Sequence, residues 1–287
     1  MISMGNSVEQ DRVSLFITMQ RKMKMTRLSP LFSGSDGNCY YIGSAEKGIL
    51  IDCGRSAKQI TSALSGIGIE MKNISAIFVT HEHVDHVKGL KTLASKYHIK
   101  VFATEGTIQE MNVKGLINGN VDIFPVSYGG MAWNDMEIKP FRISHDCREG
   151  VGYVITTSDG RKTAFATDTG IVTDEIKTAL KGCDTVVIES NYDENMLLSG
   201  DYPYSLKRRI LSSRGHISNE VCAETVSELV ETGTTRIILA HLSRKNNMPC
   251  LAEEASVSRL TLGSMKRNSD YILHVAEHEN NSLKIVY

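Results

Sequence analysis

Three imidazoles and a carboxylate, His81, His83, Asp85 and His86, crowd one short stretch directly after the apolar run Ile74 to Val79. Nitrogen and oxygen donors at that density make a site for divalent cations. Ile77, Phe78 and Val79 read as a buried strand, and Leu90, Leu93, Ala94 and Tyr97 recur at helical spacing, so the donors belong to a strand-to-helix loop. Such a loop can aim alternate side chains at two neighbouring points. His81 and His83 can share one ion, while Asp85 and His86, at the turn into the helix, reach a second. A polar loop with chance histidines is a poor account, since the whole chain has only nine.

The elements that hold this loop follow from the apolar pattern. Strands are expected at Tyr40 to Ile42, Gly48 to Asp52, Ile74 to Thr80, Val101 to Ala103, Glu137 to Ile143 and Gly152 to Thr156, with helices at Ala57 to Gly66 and Val87 to Tyr97. The second half repeats the mixture. Strands fall at Thr163 to Thr167, Thr185 to Glu189, Arg236 to Ala240 and Tyr271 to Ala276, and helices near Thr173 to Leu180, Asn219 to Thr232 and Leu251 to Ser264. Ser218 as N-cap and Gly233 as stop define the helix between them. Two sheets covered by helices on their outer faces satisfy this order. Three polar residues, His145, Asp168 and His241, each follow a strand, and ends of adjacent strands converge on one rim. His145 would complete a set with His81 and His83, and His241 would join Asp85 and His86. Asp168, with two carboxylate oxygens, could bridge both ions, and each ion keeps an open position.

Length and composition set the limits. At 287 residues and 31.7 kDa the chain buries a sizeable core. No linker or repeat divides it, so residues 27–287 are read as one domain and the polar residues 1–26, with Met19, Met23 and Met25, as a lead-in outside the fold. A formal net charge of -1 argues against a globally basic nucleic-acid binder and leaves room for a local basic patch. Six scattered cysteines without paired spacing point to reduced thiols in a cytoplasmic protein. No apolar run is long enough to cross a bilayer, and Val13 to Thr18 is too short for a secretory segment. Oligomeric state has no signal.

On its motifs the chain resembles the metallo-β-lactamase superfamily. Leu50-Ile51-Asp52-Cys53-Gly54 is similar to its first motif and His81-Glu82-His83-Val84-Asp85-His86 to its second, while His145, Asp168 and His241 fall where the remaining three belong. The resemblance implies an α/β (α+β) fold, a four-layer αββα sandwich of two mixed β-sheets flanked by helices. It also implies a dinuclear hydrolase in which Asp52 supports the metal loop rather than binding metal. Further strings, Ser33-Gly34-Ser35-Asp36-Gly37-Asn38-Cys39, Glu189-Ser190-Asn191-Tyr192-Asp193, Tyr202-Pro203-Tyr204, Arg214-Gly215-His216-Ile217-Ser218-Asn219 and His241-Leu242-Ser243, resemble the WalJ/YycJ group of nucleases. That likeness implies a 5′ exonuclease on double-stranded DNA. Asp36 departs from the group, which usually has a small serine there. The interval from Asp168 to His241 is too short for the cap of the β-CASP nucleases, and no segment matches the arm of tRNA 3′ processing enzymes.

Hydrolysis of a phosphodiester needs its charge neutralised, a nucleophile supplied and the leaving oxygen protonated. Asp85 joins the metal and the catalytic set, and His216, beside a helix start, is the candidate proton donor, against a merely packing or capping role. Arg214 and Arg244 are candidate phosphate contacts, ahead of Lys207, Arg208, Arg209 and Lys245, which read equally as a solvated face. Ser243, Asn246 and Asn247 are expected on the same rim as substrate or ligand contacts. Glu189 either orients a ligand histidine or pairs with a surface cation. His98, His274 and His278 read as structural or exposed, and Trp133 as packed in a turn. His and Asp donors suit Zn, Mn and Fe alike. Two other functions stay open: a cyclic-nucleotide type of small phosphodiesterase, and a non-catalytic metal-binding regulatory module.

Overall fold

Continuous burial along most strands gives the chain two sheets, each apolar on both faces. In the computed structural model the described residues are 26–279 and 285–286, so nearly all of the expected lead-in, residues 1–26, lies outside them. The first sheet runs β14 (Ile285–Val286), β1 (Arg27–Phe32), β2 (Cys39–Gly43), β3 (Gly48–Ile51), β4 (Ile74–Phe78), β5 (Lys100–Ala103), β6 (Ile123–Pro125). The second runs β13 (Ile272–Val275), β12 (Arg236–Ala240), β11 (Thr185–Glu189), β10 (Lys162–Ala166), β9 (Val151–Thr156), β8 (Met136–Arg142), β7 (Met131–Trp133). Both are mixed: β3 to β6 and β10 to β13 pair in parallel, and the remaining neighbours pair antiparallel.

Alternation along the strands sorts the core into three layers. Ile49, Ile51, Phe78 and Phe102 of the first sheet meet Ile138, Tyr153, Phe165, Val187 and Ile238 of the second between the sheets. Outward, Leu50, Ile77 and Val101 pack against Ile60 and Leu64 of α1 (Ala57–Gly66), Leu90 and Leu93 of α3 (Leu90–Tyr97) and Met111 of α4 (Glu105–Val113). On the far side, Val186, Ile188, Ile237 and Leu239 pack against Leu180 of α5 (Asp174–Leu180), Val226 and Leu229 of α8 (Asn219–Glu231) and Leu260 of α9 (Pro249–Leu262). Burial of apolar surface on both faces of two sheets is the main stabilising term of this four-layer fold. Val151 N donates to Thr80 O at 3.0 Å and Tyr153 Oη to Val79 O at 2.7 Å, closing the sheets on each other beside the donor loop.

Several elements depart from the expected pattern. The expected helix from Val87 to Tyr97 is two pieces, α2 (Val84–Val87) and α3, interrupted at Gly89. Strand β1 carries Pro30, which the ladder accommodates by a register shift between Pro30 and Phe32. Trp133 sits in a strand rather than a turn, with Nε1 donating to Ser75 Oγ at 3.1 Å. The short helices α6 (Glu194–Ser199) and α7 (Tyr204–Ile210) also escape sequence reading.

Gly54 and Gly89 explain how two loops come close enough to share a site. A Cβ on Gly54 would lie 1.6 Å from Asp85 O and 2.4 Å from Asn38 N, and one on Gly89 would lie 2.2 Å from Arg55 O. These neighbours are backbone and cannot rotate away. Gly54→Ala should therefore push the Asp85–His86 segment off the β3 loop. The expected cost is about 1–3 kcal/mol, or a fall of roughly 5 °C in the thermal midpoint. An unchanged melting curve would mean that the close approach is not needed.

Candidate metal centre

Each donor stands just past the carboxyl end of a strand. His81 and His83 follow β4, with Asp85 and His86 continuing into α2; His145 follows β8, Asp168 follows β10 and His241 follows β12. Asp168 and His241 have positive φ, 59° and 55°, as does Asp52 after β3 at 62°. Left-handed backbone is costly for residues with a Cβ, of order 1 kcal/mol or more each, so packing must hold it. It turns the chain sharply, which brings side chains from separate strands to one point.

The ring nitrogens show how the imidazoles are oriented. Asp52 accepts from Thr80 N and Thr80 Oγ1, both at 2.8 Å, and from His86 Nδ1 at 2.8 Å. Since the Thr80 hydroxyl proton goes to Asp52, His81 Nδ1, at 3.1 Å, donates to Thr80 Oγ1. His145 Nδ1 donates to Gly215 O at 3.1 Å, and His241 Nδ1 to Glu189 Oε1 at 2.8 Å. In all four rings the outer nitrogen is pinned and Nε2 points inward.

Those inward atoms converge. His145 Nε2 meets His83 Nδ1 at 3.3 Å, and two lone pairs at that distance require a proton or a cation between them. His86 Nε2 lies 3.6 Å from Asp85 Oδ2 and 3.3 Å from Asp168 Oδ2. His241 Nε2 lies 3.7 Å from Asp85 Oδ2 and 3.4 Å from Asp168 Oδ1. His81, His83 and His145 thus form one group and Asp85, His86 and His241 another, with Asp168 within reach of both. His81 Nε2, His241 Nε2 and Asp168 Oδ2 are buried without a hydrogen-bond partner. Orphaned donors of this type cost free energy unless something coordinates them, so the residues present fit divalent metal ions.

Charge agrees with that fit. Burial pushes the Asp168 carboxyl up, but His241, His86 and His81 around it hold it well below the usual range. Asp85 is lowered by His86 and His241 against the same burial. Burial keeps His81 well below the ordinary imidazole value, hence neutral at pH 7. For His241 burial is outweighed by Asp168, Asp85 and Glu189, and the ring is pushed up to about 10. The carboxylates of the centre draw positive charge, held as protons on His241 and His86, whose place a bound cation would take.

Glu189 resolves the choice left by its sequence position: it is fully buried and pairs with no surface cation. Its Oε1 accepts from His216 Nδ1 at 2.7 Å as well as from His241 Nδ1, and its Oε2 accepts from Thr169 N at 3.2 Å and Ile217 N at 3.3 Å. His216 therefore stands at the edge of the centre, its Nδ1 4.0 Å from Asp168 Oδ1.

The four expected substrate contacts are placed differently from one another. Arg214 donates from Nε to His145 O at 3.0 Å and from Nη2 to Cys147 O at 3.2 Å, at the mouth. Arg244 pairs with Asp36 at 2.6 Å, which occupies the unusual carboxylate of that string. Ser243 and Asn247 are turned inward: Ser243 Oγ accepts from Asn246 N at 3.2 Å, and Asn247 Nδ2 donates to Ser190 O at 2.9 Å and Asn219 Oδ1 at 2.8 Å. Lys207 and Arg209 are likewise engaged, Arg209 with Asp146 at 2.5 Å. Sequence reading missed Asn38, whose Nδ2 is 3.0 Å from His86 Nε2, and Asp146, whose Oδ1 is 3.3 Å from His145 Nε2. Asp146 adjoins His145 in sequence and could have been flagged; Asn38 touches His86 only through the fold.

With this geometry in view, likeness to known proteins is informative. A family model described as "Beta-lactamase superfamily domain" matches residues 47–242. The chain is 42% identical over 236 residues to the exodeoxyribonuclease YycJ of Bacillus anthracis, covering 81% of this chain and 88% of that protein. It is 38% identical over 251 residues to the exodeoxyribonuclease WalJ of Streptococcus pneumoniae, covering 85% and 92%. Among solved structures, the metallo-beta-lactamase fold protein YhfI of Bacillus subtilis superposes with a TM-score of 0.69 at 12% identity, covering 92% of this chain and 100% of that one. The chain belongs to the beta-lactamase superfamily and has the metallo-β-lactamase fold.

Proposed function

We propose that the protein is a dinuclear metal-dependent hydrolase of phosphodiester bonds, a double-stranded DNA 5′ exonuclease. The observation that carries the reading is the convergence of His81, His83, His145, Asp85, His86, His241 and Asp168, with buried coordinating atoms that no protein group satisfies. The exonuclease assignment draws on the similarity to YycJ and WalJ. Zn or Mn suits the donors, and Fe is compatible with them. Among the described residues no helix is long and apolar enough to cross a membrane, and we place the activity in the cytoplasm.

The ions, when bound, neutralise the phosphodiester and acidify a water molecule. The chain's own residues supply the rest. Asp85 and Asp168 bring the anionic charge that keeps cations at the rim of the strands. His216, with Nδ1 committed to Glu189, keeps its other nitrogen for the leaving oxygen and delivers the proton it needs. Glu189 is the positioning residue, fixing His216 and His241 with one oxygen. Arg214 meets a backbone phosphate at the mouth, whereas Arg244 would have to exchange Asp36 for one. Ser243 and Asn247 act through the turn that aims His241 rather than by touching substrate.

Metal-stripped protein resupplied with Mn or Zn should release nucleotides stepwise from a 5′-labelled linear duplex, and Asp85→Ala with His86→Ala should slow release roughly a hundredfold or more. No release with any metal would sink the exonuclease reading, and turnover of cyclic nucleotides instead would replace it with a small-molecule phosphodiesterase.

Glu189→Gln offers a finer check. A carboxamide cannot accept from both histidines and both backbone N–H groups, so kcat should fall about 10–100-fold and bound metal should drop below the wild-type amount. Wild-type kcat with full metal content would show that Glu189 orients nothing the reaction uses.

A further inference from the structure

A cavity of about 320 Å³ has His145 in its lining. Three arginines from separate segments line it: Arg142 at the end of β8, Arg148 in the loop that follows, and Arg214 ahead of α8. The Arg142 guanidinium lies 4.0 Å above the Tyr128 ring, with Glu175 at 3.7 Å. Arg214 is held by two backbone carbonyls, those of His145 and Cys147, which fix its direction without neutralising it. The backbone of Arg148 is anchored, its N donating to Glu82 Oε1 at 2.9 Å. Among the described residues no carboxylate lies within ion-pair distance of the Arg148 or Arg214 guanidinium. The one acid in the cavity, Glu149, is committed elsewhere: Oε2 accepts from Gly106 N at 2.7 Å and Oε1 from Tyr128 Oη at 3.1 Å.

Three guanidinium groups face one carboxylate, Glu149, in the lining, and Glu175 offsets Arg142, so the cavity keeps an excess of positive charge, which concentrates anions. Guanidinium groups match phosphate oxygens in pairs, and no carboxylate fills that role for Arg148 or Arg214 among the described residues. His145 belongs to both places: it lines this cavity, its Nε2 faces His83 and its carbonyl takes the Arg214 bond. We propose that the cavity is a phosphate subsite, in which Arg142, Arg148 and Arg214 hold a second phosphate group of the strand being cut at the metal centre. This rests on the nuclease reading and deepens it, because it makes a polyanionic strand the substrate rather than a single small diester. The phosphate is either an internal diester or a 5′-terminal monoester; the chemistry is shared.

The test is equilibrium binding of Mn-loaded full chain to two duplexes with phosphorothioate ends that resist cutting, one 5′-phosphorylated and one 5′-hydroxyl. Arg148→Ala should weaken binding roughly tenfold and lower the salt slope by about one, whereas Arg259→Ala, an exposed charge on α9, serves as the control for simple loss of charge. Equal losses on both duplexes assign the subsite to an internal phosphate; a loss confined to the phosphorylated duplex assigns it to the terminal one. Arg148→Ala binding no more weakly than Arg259→Ala would overturn the proposal. Hydrolysis of labelled duplex and of bis(p-nitrophenyl) phosphate by wild type is measured in parallel. Cutting without Arg148-dependent binding removes the subsite alone, and Arg148-dependent binding without cutting removes the nuclease reading alone.

Discussion

The donor loop depends on one buried carboxylate. Asp52 receives three hydrogen bonds, from Thr80 N, Thr80 Oγ1 and His86 Nδ1, and is 1% exposed. Burial pushes its carboxyl up, and His86 and Thr80 oppose that by favouring the ionised form. Each hydrogen bond to a charged group contributes about 1.5–3 kcal/mol, and together they offset part of the desolvation of the acid, whose carboxyl stays above its ordinary value. The same three bonds tie the end of β3 to the loop after β4 and set which nitrogen of His86 faces inward. Fold and chemistry meet in that single group.

The second sheet repeats the device with Glu189. It too ends a strand, is fully buried, and accepts two histidine N–H groups and two backbone N–H groups. Each sheet therefore brings one carboxylate that touches no substrate but aims the imidazoles that would. Asp52, Asp168 and His241 adopt left-handed backbone within this rim, whereas Asn134 and Asn268 do so at remote turns. Strain at a site is tolerable only where the surroundings determine it, and the apolar layer between the sheets provides that rigidity.

How far the sequence could be read follows from the range of each interaction. His81, His83, Asp85 and His86 are visible because their donors lie within one loop, and His145, Asp168 and His241 because each follows an apolar run that must be a strand. Outer-layer helices with several turns, such as α8, show their stripe; α6 and α7 span too few residues to show a period. Gly89 interrupts the expected helix for a reason found only across the loop, the carbonyl of Arg55. Asn38 reaches His86 from the loop between β1 and β2, and Ser33 Oγ accepts from His241 N at 2.8 Å across most of the chain. Polar residues beside a ligand give no sign of which way they turn. Asn247 follows His241 closely, yet its amide closes a buried network with Ser190 and Asn219.

A chain with a formal net charge of -1 has no overall attraction for a polyanion, and positive charge near the centre is cancelled in part: Arg209 by Asp146, Arg244 by Asp36. The proposed reading removes the difficulty. Two divalent ions would bring four positive charges against the carboxylates of Asp85 and Asp168, so the loaded centre is itself a focus of positive potential. The guanidinium groups without acid partners, Arg148 and Arg214, border the cavity next to it. Attraction for a phosphate backbone is then concentrated where the chemistry occurs instead of spread over the surface. The remaining surface can stay balanced in charge, which limits sticking to nucleic acid elsewhere. On this view the near-neutral composition restricts the enzyme to strands whose phosphates reach the metal centre and its neighbouring arginines together.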